Sequence, residues 1–232
     1  MRPYPIMLNV QNRTAVVVGG GNVALRKTSG LLACGAKVVV IAPELKPEMH
    51  DLASAGKIQW IKEEFREGLL DLVADPLMLF GTTNNRETNV SIYRAAAERK
   101  ILCNIADVPD LCTFIVPAVI TQGDLMIAVS TGGASPALAK RIREDLQKRF
   151  GPEYAQMTKL MGELRKEIIR QGKTSDENKR LFGALVNSEL LEALRAKNKD
   201  RVFEILTSIL PSDLSPESAL EETANDAFLK WE

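Results

Sequence analysis

Short, predominantly apolar runs alternate with longer stretches of helical spacing through the first half of the chain, and this alternation predicts a parallel sheet with crossover helices. Apolar runs fall at residues 6–10, 15–19, 38–42, 58–61, 77–82 and 102–105. Helical patterns lie between them, from about Asn22 and over residues 47–55, 67–73 and 86–98. Val16-Val17-Val18 and Val38-Val39-Val40-Ile41 show no polar alternation, as suits strands covered on both faces. The expected class is α/β, with a doubly wound parallel sheet.

After Asp107 the pattern changes. Residues 113–121 and 125–130 are β-rich runs separated by Gln122-Gly123-Asp124, which predicts a hairpin added to the parallel domain. Ser135 and Pro136 then read as the N-cap and first position of a helix reaching Phe150, and Gly151-Pro152 ends it. Beyond Pro152 the chain reads as a small helical domain. Tyr154, Met157, Met161, Leu164 and Ile168 form one apolar stripe, and further helices are expected over 189–195 and 200–209. The expected division is 1–112, 113–150, 151–210 and an acidic tail over 211–232, the tail either loosely attached or docked late.

The first strand runs into Gly19-Gly20-Gly21-Asn22-Val23-Ala24, a strand, glycine turn and helix that together predict a Rossmann-like dinucleotide site. The glycines let backbone approach a pyrophosphate, which the amides of Asn22 and Val23 and the positive end of the helix would hold. In such sheets ligands lie beyond the carboxyl ends of the strands. That rule also selects Pro43 and Glu44, Thr82, Thr83 and Asn84, and the loop 104–107. Glu44 is placed to reach the adenosine ribose and so favours NAD over its 2′-phosphate analogue, a preference that nearby Lys46 moderates.

Charge is balanced at 30 basic and 30 acidic residues, which implies no general attraction to nucleic acid or membrane. The tail holds six acids and one Lys, so the rest is mildly cationic, at 29 basic against 24 acidic residues. Cys34, Cys103 and Cys112 show neither paired spacing nor a disulfide framework, and no secretory leader or membrane-spanning run is visible, so a soluble cytoplasmic protein is expected. Cys103 and Cys112, in apolar surroundings, read as packing residues. His50 is the single histidine, and no conventional metal site is expected.

A general acid or base is therefore a carboxylate, Lys, Tyr or Cys. Asp107, at the end of the strand over 102–105, is the leading candidate, with Asp110 its neighbour; the alternative is a loop or cap residue. Lys140, Arg141 and Arg143 on the basic helix after Pro136, with the amides of Gly132 and Gly133, are candidates to hold substrate carboxylates. A solvated helix face or a dimer contact is the alternative for each.

Five ordered motifs carry a family likeness: residues 19–27 (GGGNVALRK), 41–44 (IAPE), 104–109 (NIADVP), 113–118 (TFIVPA) and 130–139 (STGGASPALA). Together they resemble the precorrin-2 dehydrogenase and sirohydrochlorin ferrochelatase family, which includes the amino-terminal half of siroheme synthase. The resemblance implies NAD-dependent oxidation of precorrin-2 to sirohydrochlorin, in some members with insertion of ferrous or cobaltous ion. It implies a Rossmann domain, a dimerisation region over 113–150, a helical domain and a homodimer. It places the family's essential aspartate at Asp107 and its NAD contacts at Asn22, Val23, Pro43 and Glu44; where some siroheme synthases carry a phosphorylatable serine this sequence has Thr131, with Ser130 beside it, so no regulatory phosphate is expected there. No methyltransferase domain follows in this sequence, so precorrin-2 is expected from a separate enzyme. Rival expectations are a dehydrogenase of another polyanionic substrate and an NAD-responsive regulatory module.

Overall fold

The computed structural model describes residues 3–172, 174–216 and 220. It divides into two compact units, Met1–Val116 and Pro117–Glu232.

In the first unit, β1 (Thr14–Val18), β2 (Lys37–Ile41), β3 (Ile58–Ile61), β4 (Pro76–Gly81) and β5 (Leu102–Ile105) form one parallel sheet in the order β3-β2-β1-β4-β5. The connections are α1 (Asn22–Ala33), α2 (Pro47–Ser54), a 3-10 segment (Glu67–Leu72) and α3 (Arg86–Glu98). Successive strand residues face opposite sides. Ala15, Val17, Val38, Val40 and Phe80 pack with Ala24, Leu31 and Met49 of α1 and α2. Val16, Val18, Val39, Ile41, Leu79 and Ile105 pack with Leu69, Leu70, Ile92 and Ala95 on the other face. The strand order reverses between β1 and β4, and that crevice is where such sheets take their ligands.

α1 ends as its sequence requires. Gly35, at φ 74°, turns the chain left-handed and donates its N–H to the carbonyl of Leu32 at 2.9 Å.

The strand expected at residues 6–10 does not form. Both sides of β1 are already taken by β2 and β4, and Ile6 and Met7 stay 67% and 69% exposed, with only Val10 buried in this run.

In the second unit, β6 (Ala118–Gln122) and β7 (Leu125–Val129) pair as an antiparallel hairpin in a sheet of their own. The hairpin is therefore not an addition to the parallel sheet. The run over 113–121 is also shorter than expected, because Thr113 and Phe114 tie back to β5: Thr113 N–H donates to Cys103 O, and Asn104 Nδ2 donates to Phe114 O. α4 (Pro136–Arg149) packs on the hairpin, with Ser135 Oγ capping Leu138 N–H at 3.2 Å.

α5 (Glu153–Arg170), α6 (Ser175–Val186), α7 (Leu190–Arg195) and α8 (Lys199–Ile209) enclose a core of Leu160, Leu164, Ile168, Leu185, Leu190, Leu194, Val202 and Leu206. Of the expected stripe, Leu164 and Ile168 enter this core and Met157 and Met161 border it, while Leu160 joins from a position outside the stripe. α6 was not expected. It begins at a reciprocal capping box in which Thr174 Oγ1 accepts from Glu177 N–H and the Glu177 carboxylate accepts from Thr174 N–H. Of the tail over 211–232, the structure describes 211–216 and 220; Leu214 and Leu220 pack into the helical core, and the remaining tail positions lie outside the described residues.

Candidate active site

The glycine turn is held from three sides. Gly19, at φ 122°, donates its N–H to Ile41 O at 2.9 Å, and a Cβ there would press on the Thr82 hydroxyl. The Gly20 carbonyl accepts from Lys46 N–H at 3.0 Å, and a Cβ on Gly20 would collide with the Glu44 carbonyl. Gly21, the N-cap of α1, faces open space.

No side chain caps α1, and no acidic residue occupies its first turn. Its first helical N–H bond runs from Leu25 to Gly21 O at 2.9 Å, so the amides of Asn22, Val23 and Ala24 have no intrahelical acceptor. An uncapped, acid-free helix start beside an open glycine is the cradle that a pyrophosphate fills. The residues therefore fit a dinucleotide.

Pro43 and Glu44 are exposed at the carboxyl end of β2, and the Glu44 carboxylate has no partner among the described residues. Lys46 Nζ donates to Asn22 Oδ1, joining this loop to the start of α1. Trp60 Nε1 donates to Ala42 O at 2.9 Å and fixes the end of β2. At the end of β4, Thr82 Oγ1 donates to Val18 O at 2.7 Å and Thr83 Oγ1 lies 2.8 Å from Asn89 Oδ1, so both hydroxyl protons are engaged within the protein. Asn84 is exposed beside them.

Asp107 follows β5 on the same edge. Ala106 N–H donates to Gly81 O at 2.8 Å, and the next residue, Asp107, takes a left-handed backbone at φ 61°. Its carboxylate is exposed and makes no hydrogen bond or ion pair among the described residues. The loop that presents it is tied by Cys112, whose Sγ accepts from Ile105 N–H at 3.3 Å and lies 3.3 Å from the carbonyls of both Ile105 and Val108. Cys112 is thus a hydrogen-bonding knot as well as a packing residue. Burial pushes its thiol up, and burial pushes that of Cys103 up to about 12.

Lys27, on α1, was not expected as a site residue. Its Nζ lies 5.4 Å from the centroid of the Phe80 ring, which packs edge-on against Phe114. Only the tertiary fold brings this side chain to the β4–β5 end of the sheet edge.

The expected carboxylate-holding residues belong to the second unit. Gly132 and Gly133 are exposed in the turn before α4, at φ 63° and 88°. On α4 the cations pair with acids of the same helix: Lys140 with Glu144 at 4.0 Å, Arg141 with Asp145 at 3.0 Å and Arg143 with Glu144 at 3.3 Å. Thr131 Oγ1 accepts from Ser135 N–H and donates to Ser135 O, both at 3.0 Å, so its hydroxyl closes the turn. Ser130 Oγ accepts from Gly132 N–H at 3.1 Å. His50 is exposed on α2, its ring edge-on to Trp60. Among the described residues no group of three or more His, Cys, Asp or Glu could hold a metal ion, and no helix is long and apolar enough to cross a membrane.

Residues 6–118 match a family model described as putative NAD(P)-binding, and residues 122–149 match one described as sirohaem biosynthesis protein central. The chain is 32% identical to siroheme synthase 3 of Aeromonas hydrophila over 91% of its own length and 44% of the relative. It is 33% identical to an Escherichia coli siroheme synthase over 92% of its length and 46% of that protein. It thus spans less than half the length of these curated relatives. A solved structure of SirC, precorrin-2 dehydrogenase, matches with a TM-score of 0.73 and 27% identity, covering 89% of this chain and 98% of that one. The glycine cradle accordingly lies in a segment that matches a nicotinamide-nucleotide domain, and over most of its length the chain is similar to siroheme synthases and to a precorrin-2 dehydrogenase.

Proposed function

We propose that the chain oxidises precorrin-2 to sirohydrochlorin, with NAD⁺ as the oxidant and NADH and a proton as the other products. The observation that carries this reading is the free Asp107 carboxylate, presented by a tied loop on the same strand edge as the uncapped start of α1. Bound there, the nicotinamide supplies a hydride acceptor.

Asp107 then has one task, to accept or orient the proton that leaves the macrocycle as the hydride departs. The Cys112 knot holds its loop in place, and Gly20 and Gly21 let backbone close on the phosphates. The unpartnered Glu44 carboxylate supports NAD over its 2′-phosphate analogue, since a second anion beside it is repelled. Gly132, Gly133 and the basic face of Lys140, Arg141 and Arg143 are read as holding substrate carboxylates. Val119 and Met126 on the hairpin and Leu138 and Ile142 on α4 are exposed, which supports a second copy of the chain as partner of this face. With ferrous or cobaltous ion as a further substrate, Asp107 is the group available to take pyrrole protons.

Incubation with precorrin-2 and NAD⁺, followed by absorption spectroscopy with and without ferrous or cobaltous ion, tests the reading. Asp107→Asn should keep the fold, because Asn tolerates the left-handed region, and should lower turnover about 100-fold or more. Undiminished turnover in that variant removes Asp107 from the chemistry. A wild-type chain that binds NAD⁺ and leaves precorrin-2 unchanged points to the regulatory or other-substrate alternatives.

A further inference from the structure

Lys27 is a half-buried cation without an anionic partner. It makes no hydrogen bond and no ion pair among the described residues, in a protein whose other site cations, Lys46, Arg141 and Arg143, are all engaged. Its ammonium lies over the Phe80 ring, at the carboxyl end of β4. An ammonium over an aromatic face gains some electrostatic stabilisation, yet it still lacks the hydrogen-bond acceptors that water gave it.

The charged and titratable groups within electrostatic reach are few. Arg26, its neighbour on α1, repels it, while Asp107 and, only once ionised, Cys112, from the loop after β5, attract it. Burial is the largest influence and holds the amine below its usual value of 10.5. Adenosine is expected toward β2 and Glu44, so Lys27 stands on the nicotinamide side of the crevice, where the reacting molecule must lie.

We propose that Lys27 is a substrate-binding residue, holding a carboxylate of the macrocycle beside Asp107. This rests on the proposed function, because it takes the substrate to be a polycarboxylate. An acidic substrate approaching the Asp107 carboxylate meets like charge, and Lys27 offsets that repulsion where it arises. Its missing acceptors are those the substrate brings. The site cation thus comes from the same helix that cradles the cofactor, and is distinct from the basic face of α4.

The test separates this idea from the proposed reaction by measuring binding without turnover. Uroporphyrin, a stable polycarboxylate macrocycle, is titrated by absorption spectroscopy into wild-type protein, Lys27→Met and Lys27→Arg, and NAD⁺ affinity is measured in parallel. Lys27→Met should weaken uroporphyrin binding about tenfold, Lys27→Arg by much less, and neither should alter NAD⁺ affinity more than about twofold. The same loss should persist in an Asp107→Ala background, which shows that Lys27 meets the ligand and does not merely neutralise Asp107. Equal binding by wild type and Lys27→Met, parallel loss of NAD⁺ affinity, or no binding by the wild type overturns the proposal. Lys27-dependent binding in a chain that does not oxidise precorrin-2 instead overturns only the proposed reaction.

Discussion

A Cβ added to Gly20 would fall on the main-chain carbonyl of Glu44, so that backbone must shift to admit any side chain there, while Gly21, the next residue, opens onto free space. Two adjacent glycines thus do different work. Gly20→Ala must push the loop after β2 away from the turn, at a cost of about 1–3 kcal/mol, with loss of NAD⁺ binding. Gly21→Ala should melt close to wild type and still lose NAD⁺ affinity, since its methyl group enters the cradle. Thermal melts and NAD⁺ titrations of the two variants check the contrast; equal melting would show that the loop yields freely.

Glu44 should set the choice of nicotinamide nucleotide. Replacing it by Ala removes the repulsion of a 2′-phosphate and leaves Lys46 nearby, so the preference for NAD⁺ over NADP⁺ should shrink about tenfold. The ratio of the two dissociation constants reads this directly. An unchanged ratio places the ribose elsewhere.

Lys27 should cost the protein stability. With its amine below the usual 10.5 in the folded state, the unfolded chain binds more protons between the folded value and 10.5, so stability contributed through Lys27 rises with pH across that window. At pH 7 the burden is fully present. Lys27→Met should therefore melt a few degrees above wild type at pH 7, and the gap should close as pH approaches 10.5. Cys103 acts oppositely: its thiol, raised from 9.0 to about 12, stabilises the fold below pH 9, and that contribution is lost as pH climbs toward 12. Because Cys103 is common to both proteins, the difference between their melts isolates Lys27.

In the helical unit, Glu153 is 8% exposed, and its Oε1 accepts from Nε and a terminal nitrogen of Arg195 at 3.1 and 3.0 Å. This pair joins the start of α5 to α7. Arg195→Ala leaves a buried carboxylate unpaired and should destabilise by about 2–3 kcal/mol, whereas Arg195→Ala combined with Glu153→Gln should recover part of that loss. Urea unfolding of the single and double variants measures it.

The sheet was legible because its inner strands β1 and β2 carry β-branched runs and β4 an unbroken apolar one, with the glycine turn where β1 meets α1. Residues 6–10 misled for the same reason: their apolar pattern looks like a strand, but pattern alone does not show that β1 has no free side. α6 is amphipathic yet lacks a long apolar stripe, and its clearest signal was the capping box at Thr174 and Glu177. The basic helix after Pro136 read as a row of cations because the partners Glu144 and Asp145, placed within one turn, were not counted against them. Asp107 could be picked out from its place at a strand end. Lys27 could not, since nothing in a helix sequence says which aromatic ring or which loop a lysine will meet across the sheet edge.

On the proposed reading, α1 gauges two ligands with one ruler. Asn22, at its phosphate-facing start, and Lys27 are five residues apart on the same rigid rod, about 7.5 Å along its axis. A shift that seats the rod more deeply against β1 carries both anchor points with it. The spacing between dinucleotide and acidic macrocycle is thereby written into a single turn count, and an inserted or deleted residue between the two would throw them out of step even with every contacting side chain intact.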